Sequence, residues 1–469
     1  MAPEAPRSAG ALPPVDRLRS AFRGRVIAPG DPKYDEARKV FSPSVDRRPA
    51  LIVRVADEDD VARTIALARE AGLELAVRCG GHSYAGHSAT EGGIVLDLRD
   101  LRGLEINPQD RTAWAQTGLT TGEYTVAAGA HGLATSFGDT GSVGIGGLTL
   151  GGGLGYLVRK HGLTIDSLLA ADVVTADGRL LRVDDQNHPD LFWAIRGGGG
   201  NFAVATRFQL RLHEVDPFLG GMLVLPASVE TIASVAAAAE AAPEELSVIA
   251  NIFRAFEMPF LPAEWTGRFI VMVLIAYAGP VAEGLRAVAP IREVATPIAD
   301  MVRPMKYPEI YSYTEGGAPP GQETSRSTFV DDLGMRTAET IMEFLESATA
   351  PGTAAQLRVF GGAMARVPAD ATAFAHRQKR GVAGIAAFYE DPEEAPVHEA
   401  WADRFVSVLQ GEGPAAYVNF LADEGPAGVR RAYPEPTWSR LAAIKARYDP
   451  TNLFRLNQNI PPHGEESAR

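Results

Sequence analysis

The sequence predicts an α+β protein of two lobes, and three features carry that prediction. The chain has 469 residues, 46% of them hydrophobic, too much apolar material for one ordinary core and enough for two. Between Pro49 and Leu98 the pattern alternates strand, helix, strand, so the chain opens as a βαβ unit. From about Pro217 the character shifts to Ala-rich helical stretches and apolar strand-like runs, which suits helices covering one face of an antiparallel sheet. It shifts back near Gly413, so the chain divides into 1–216, an inserted unit over 217–413, and a closing segment 414–469 that returns to the first lobe.

Taken in order, Leu51 to Val55 reads as a strand, and Asp57 before an acidic turn starts a helix over Glu58 to Ala71. Val61, Ile65 and Leu67-Ala68 give that helix an apolar face, and Gly72 stands just beyond its end. Leu75 to Arg78 is the next strand, and Gly92-Gly93 turns the chain into another at Ile94 to Leu98. Glycine is densest between Thr135 and Gly200, where the loop Gly144 to Gly155 and the run Arg196 to Asn201 imply close backbone approach. Within the insert, Val229 to Ala242 reads as helix and Phe269 to Ala278 as strand. Ala415 to Phe420 reads as a strand with Tyr417 and Asn419 on one face, and the alternation of Phe454 to Ile460 sends Asn457 and Asn459 to one side. From Trp438 the chain runs helix, turn and extended segment, and no repeat of fixed period is present.

A formal charge of −13 repels a phosphate backbone, so nucleic acid is excluded as a partner. Cys79 is the only cysteine; no intramolecular disulfide can form, which suits the cytoplasm. The residues from Met1 to Ser8 read as a flexible leader without the apolar core of a secretory signal. No apolar run reaches the ~20 residues that cross a bilayer. His82 and His87 have no third ligand nearby in sequence, so no metal is expected. The expected state is monomer or homodimer.

Successive glycines form a nest of backbone N–H groups into which a dinucleotide pyrophosphate fits. The chain has no Gly-x-Gly-x-x-Gly opening a helix and no Gly-x-x-x-x-Gly-Lys-Ser/Thr, so a Rossmann or P-loop assignment does not fit. On the residues alone, ordinary turns explain these glycines equally well, and a lone histidine such as His82 is more often a hydrogen-bonding loop residue than an anchor.

Three motifs alter that balance. Arg-x-Gly-Gly-His-Ser-x-x-Gly-x-Ser spans Arg78 to Ser88; Gly-Gly-x-x-x-Gly-Gly-Gly-x-Gly-x-x-x-Arg-x-x-Gly-Leu-x-x-Asp spans Gly146 to Asp166; and Tyr-Asp-Pro-x-Asn-x-Phe with Gln-x-Ile-Pro-Pro spans Tyr448 to Pro462. Together, and in this order over nearly the whole chain, they resemble the berberine bridge enzyme-like flavoproteins of the vanillyl-alcohol oxidase/p-cresol methylhydroxylase superfamily. The resemblance implies a two-lobed FAD-binding domain built from both chain ends, with the substrate domain inserted between them. It implies FAD covalently bound through His82 to the flavin 8α-methyl carbon. Arg78, Cys79, Gly80, Gly81 and Ser83 would cradle the pyrophosphate together with Gly146, Gly147, Gly151, Gly152 and Gly155, and Gly86 and His87 would also border the cofactor. Val174 would lie on the adenine side.

Many relatives add a second link through a cysteine in Gly-x-Cys-Pro-x-Val. Here that stretch is Gly138 to Val143, with Thr140 at the cysteine position, which implies the singly linked bacterial type. Ser142 and Val143 would then line the flavin, Val143 where oxygen approaches. Cys79 is read as a small packed loop residue. The resemblance makes Tyr417 the candidate base with Asn419 beside it, while the amides of Asn457 and Asn459 suit the polar edge of the flavin ring. Burial alone would raise a tyrosine pKa, so Tyr417 needs compensation from a nearby cation or from the flavin site, and Arg377 is the candidate cation. Tyr156, His376 and Arg377 are candidate substrate residues. The leading reading is an oxidase taking hydride from a small alcohol, amine or secondary metabolite, with molecular oxygen as acceptor and hydrogen peroxide as product. An oxygen-insensitive dehydrogenase and a non-catalytic drug-binding flavoprotein are the alternatives.

Overall fold

The computed structural model describes residues 12–315, 321–410 and 413–462; the leader expected at 1–8 lies outside them. Asp57 caps the helix Glu58–Ala71 by accepting from the Asp60 backbone N–H, and Gly72 ends it in the left-handed region at φ 65°, where a residue without Cβ meets no clash. Val61, Ile65 and Ala68 of this helix pack onto a four-stranded sheet of order Arg25–Ile27, Leu51–Arg54, Ile94–Asp97, Leu75–Arg78. The last three strands are parallel. A five-stranded antiparallel sheet follows, in the order Leu104–Asn107, Thr112–Gln116, Ala203–Arg211, Leu168–Thr175, Leu180–Val183.

Eight strands between Phe218 and Tyr389 form one antiparallel sheet. Its longest pairing runs from Phe218↔Ala278 to Pro226↔Ile270. Alternation decides the two faces. Leu219, Leu223 and Leu225 pack under the helices Val229–Ala241, Val281–Arg292, Met335–Ser347 and Ala395–Gln410, which bring Ile232, Val288, Ile341 and Phe405 to the same core. Phe218, Met222 and Val224 turn the other way, against Tyr156, Leu157, Tyr307 and Tyr311. Each such aliphatic burial contributes roughly 1.5–3 kcal/mol, so both faces are held firmly. The helix Thr437–Tyr448 places Trp438, Leu441 and Ile444 in a core with Trp193, Phe202 and Phe208.

Three sequence expectations differ from the structure. Ala415 to Phe420 is not a strand: Ala415 meets Phe329 through one backbone bond, then the Phe420 N–H bonds back to Tyr417 O at 2.9 Å and closes a turn. Phe454 to Ile460 is irregular, because its N–H groups go to side chains, Phe454 N to Asp449 and Ile460 N to Asn201, and not to a neighbouring strand. The glycine loop begins as a short helix, Ile145–Gly151, since Ile145 and Leu150 are drawn into the core.

Candidate active site

A cavity of about 660 Å³ lies where the parallel sheet, the Ile145–Gly151 helix and the edge of the large sheet meet. Two glycine segments interlock at its floor. A Cβ on Gly80 would collide with the Gly144 backbone and one on Gly144 with the Gly80 backbone, so the two strands of main chain touch as only glycines allow. A Cβ on Gly146 would strike the Cys79 sulfur, and burial pushes the Cys79 thiol up to about 12. The lone cysteine is thus a packed thiol. Gly147 and Gly200 have open space where a side chain would stand, and both line the cavity.

Cys79, Gly80, Gly81, His82, Ser83 and His87 border the same space, as do Thr140 and Val143. The His82 ring stacks on Phe41 with centroids 4.0 Å apart. Burial pulls its pKa down to about 4, against an opposing pull from the Ser142 backbone, so the imidazole is neutral at pH 7 with a nitrogen lone pair available. His87 is drawn down to about 4 for the same reason, and its backbone N–H donates to Ser83 Oγ.

Tyr417 and Asn419 meet despite the missing strand. The Tyr417 hydroxyl oxygen accepts from the Gly153 N–H at 2.8 Å and from Asn419 Nδ2 at 2.9 Å, while Asn419 Nδ2 also donates to Leu148 O. A Cβ on Gly151 would overlap the Asn419 amide, and one on Gly152 would press on the Tyr417 ring. Burial pushes the phenol up to about 12, opposed by the Gly153 N–H, the Asn419 amide and the charge of Arg358. Two N–H donors on one phenolic oxygen favour its anion.

Other expected residues are placed differently. The Arg78 guanidinium is fully buried and bound to Asp97 and to Ala37 O, so it serves the sheet and is not free for a phosphate. Gly151, Gly152 and Gly155 make room for Asn419, Tyr417 and the Phe137 carbonyl, that is, for protein and not for a cofactor. Gly86 turns the chain against Val45, outside the cavity wall, and Ser142 is exposed. Val174 pairs with Val204 inside the core, and Val204 is the one that reaches the cavity. Tyr156 packs edge-on to Tyr311 beneath the large sheet.

His376 bonds to the carbonyls of Arg431 and Ala432, and Arg377 is fully buried in a two-point ion pair with Asp166. Neither borders the cavity, because backbone and carboxylate partners hold them in the seam beside it. The cation acting on Tyr417 is Arg358. It pairs with Asp139 at 2.9 Å, donates to Gln356 Oε1 and lies over the Phe420 ring. Its strand, Gly352–Val359, had no reading in sequence; the polar alternation Gln356, Arg358 was the available signal.

Two family models match the chain, one described as FAD binding domain over residues 49–184 and one as Berberine and berberine like over residues 416–461. An uncharacterised FAD-linked oxidoreductase of Bacillus subtilis is 32% identical over 453 residues, covering 94% of this chain and 98% of the relative. The chain belongs to the berberine bridge enzyme-like FAD-linked oxidoreductases. Within this family, (R)-6-hydroxynicotine oxidase of Paenarthrobacter nicotinovorans is 30% identical over 95% of this chain and 98% of its own. The crystal structure of 6-hydroxy-D-nicotine oxidase from Arthrobacter nicotinovorans matches with a TM-score of 0.84 at 29% identity, covering 94% and 98% of the two chains. The berberine bridge enzyme-like 1 protein of Physcomitrella patens, 22% identical with a TM-score of 0.84, shares the fold.

The residues present fit the FAD of such a berberine bridge enzyme-like protein. Asn457 borders the cavity and its Oδ1 is buried with no hydrogen-bond partner among the described residues, as expected of an acceptor meant for a ligand's N–H group; Asn459 Oδ1 is likewise unpartnered but does not border the cavity. The Asn457 amide is held in place by Gly200 O and Phe454 O. Sequence reasoning missed what fixes this segment: Lys445, fully buried, donates to Asp449, Asn201 O and Phe454 O, while the Asn201 side chain clasps Gln458 O and Ile460 N.

Proposed function

We propose that this oxidoreductase is an oxidase that removes hydride from a C–H bond of a small alcohol, amine or secondary-metabolite substrate, with FAD attached through His82. The observation that carries the reading is the pair of donors on the Tyr417 oxygen, facing the cavity that His82 also faces. The neutral imidazole of His82 supports the attachment, and Gly147, Gly200 and the free amide oxygen of Asn457 would hold the rest of the cofactor. When bound, FAD would supply the acceptor for the hydride and the oxygen-reactive store of its two electrons, with hydrogen peroxide as the product.

The chain's own residues manage the proton. Tyr417 takes it from the substrate hydroxyl or amine as the neighbouring carbon gives up hydride, leaving a carbonyl or imine. Gly153 N–H, Asn419 and Arg358 stabilise the phenolate needed for that step. We also infer that residues 1–216 and 414–469 hold FAD while 217–413 roofs the substrate, and that the enzyme works in the cytoplasm as a monomer or homodimer. The relative named (R)-6-hydroxynicotine oxidase supports a small nitrogenous substrate.

Two measurements test this. Denatured, electrophoresed protein should keep yellow flavin fluorescence, and His82→Ala should lose it; complete release of flavin from the wild type sinks the attachment. In stopped flow, oxygen should reoxidise the reduced protein rapidly, and Val143→Leu, in the cavity wall, should slow that half-reaction more than the reductive one. Reduced flavin that is indifferent to oxygen would make the protein a dehydrogenase.

A further inference from the structure

Charges around the cavity are unevenly partnered. Arg358 is paired with Asp139 at 2.9 Å and Arg326 with Asp403 at 2.7 Å. Arg47 donates to the carbonyls of Gly86 and Ala89. The acids are different: Glu323, Glu399 and Asp423 all border the cavity, and among the described residues no Lys, Arg or His lies within ion-pair distance of any of them. His82 and His87, both drawn down to about 4, are neutral at pH 7 and do not compensate.

Glu323 stands apart within this set. Glu399 and Asp423 are exposed and solvated, whereas Glu323 is half-buried on the edge strand Gln322–Val330, opposite Phe388. Burial raises its pKa, the sign of a carboxylate stripped of water without a cation in exchange. Beside it is an aromatic surface. Tyr84, in the segment after His82, is 47% exposed and stands edge-on to Phe420 with centroids 6.4 Å apart; burial pushes its hydroxyl up to about 12, with the charge of Glu323 adding to that and Arg358 opposing it. Phe420 in turn packs on the Tyr417 ring at 4.8 Å. A desolvated carboxylate and an open aromatic ring in one wall are the two elements that recognise an organic cation.

We propose that Glu323 is the specificity-determining residue of this cavity and selects substrates bearing an ammonium group, seated against the Tyr84 ring, at a distance from the carbon presented to Tyr417. The ammonium replaces the water that Glu323 has lost, and the unpaired Glu399 and Asp423 draw the cation toward the mouth. The reacting nitrogen or oxygen is a separate group, since it must lose a proton and cannot be the cation that Glu323 holds.

The proposal rests on the oxidoreductase reading for the identity of the cavity, and its test needs no turnover. Isothermal titration calorimetry of the holoenzyme compares three probes of similar size: benzyltrimethylammonium, benzyl alcohol and phenylacetate. The cation should bind at least about tenfold tighter than the alcohol, with phenylacetate weakest. Glu323→Gln should remove that preference while leaving benzyl alcohol binding unchanged, and Glu323→Lys should favour phenylacetate. Equal binding of cation and alcohol to the wild type, failure of the cation to bind, or a Glu323→Gln protein that keeps the preference overturns the proposal. Equal weakening of all three probes does so too, since it marks Glu323 as structural. Any of these results in protein whose bound flavin still reduces leaves the oxidoreductase reading standing, whereas protein that binds no flavin sinks that reading instead.

Discussion

Tyr417 is a phenol whose oxygen accepts two hydrogen bonds and whose pKa burial nonetheless carries to about 12. Its proton-accepting form is therefore scarce at pH 7, and the flavin-reduction rate should climb with pH as the anion fills. Tyr417→Phe keeps the ring against Phe374 and Phe420 and removes the base, so anaerobic reduction should slow by about 10²–10⁴ with reoxidation little changed. A wild-type reduction rate in that variant would return Tyr417 to a packing role. Arg358→Gln removes a charge that favours the phenolate and leaves Asp139 opposing it, so the kinetic pKa should move upward; an unmoved pH profile excludes Arg358. At this scale a motif sufficed to name two residues that line the cavity, His82 and Tyr417. The sequence was not legible where the role depends on which strand lies opposite: Arg358 and Glu323 sit on strands whose neighbours are set by long-range pairing, and Arg377, chosen for its motif, is held by Asp166.

Among the elements, the βαβ opening was readable because every signal is local: cap, apolar stripe and terminal glycine lie within one short stretch. The strand-like alternations at Ala415 to Phe420 and Phe454 to Ile460 misled, since period two says nothing about whether a partner strand is available. In the second of these, side chains replace the partner: Asp449 takes two backbone N–H groups and pairs with Lys445, both fully buried. Lys445→Met would leave Asp449 buried and uncompensated, a loss of about 3–5 kcal/mol. The measurement is urea unfolding, with flavin content as a second readout because the same segment carries Asn457. A variant as stable as the wild type would show the lysine to be dispensable.

For the molecule as a whole, four histidines outside the flavin anchor set an acid limit. Burial draws His87, His213 and His376 down to about 4 and His161 to about 3. The folded state keeps them neutral while the unfolded chain takes up protons below about 6.5, so their contribution is fully present above that pH and is lost as pH falls from 6.5 toward 4. Each can cost at most about 1.4 kcal/mol per pH unit across that window. The melting temperature should hold steady above pH 6.5 and fall below it; a flat profile from pH 7 to 4 would contradict these burials. The cavity wall described above draws on Phe41 at one end of the chain and Gln458 near the other. Consequently no nascent chain still lacking its last turns outside the ribosome owns a complete cavity. Ribosome-stalled chains ending before Asn457 should therefore emerge colourless, while chains that expose residues past Gln458 turn yellow.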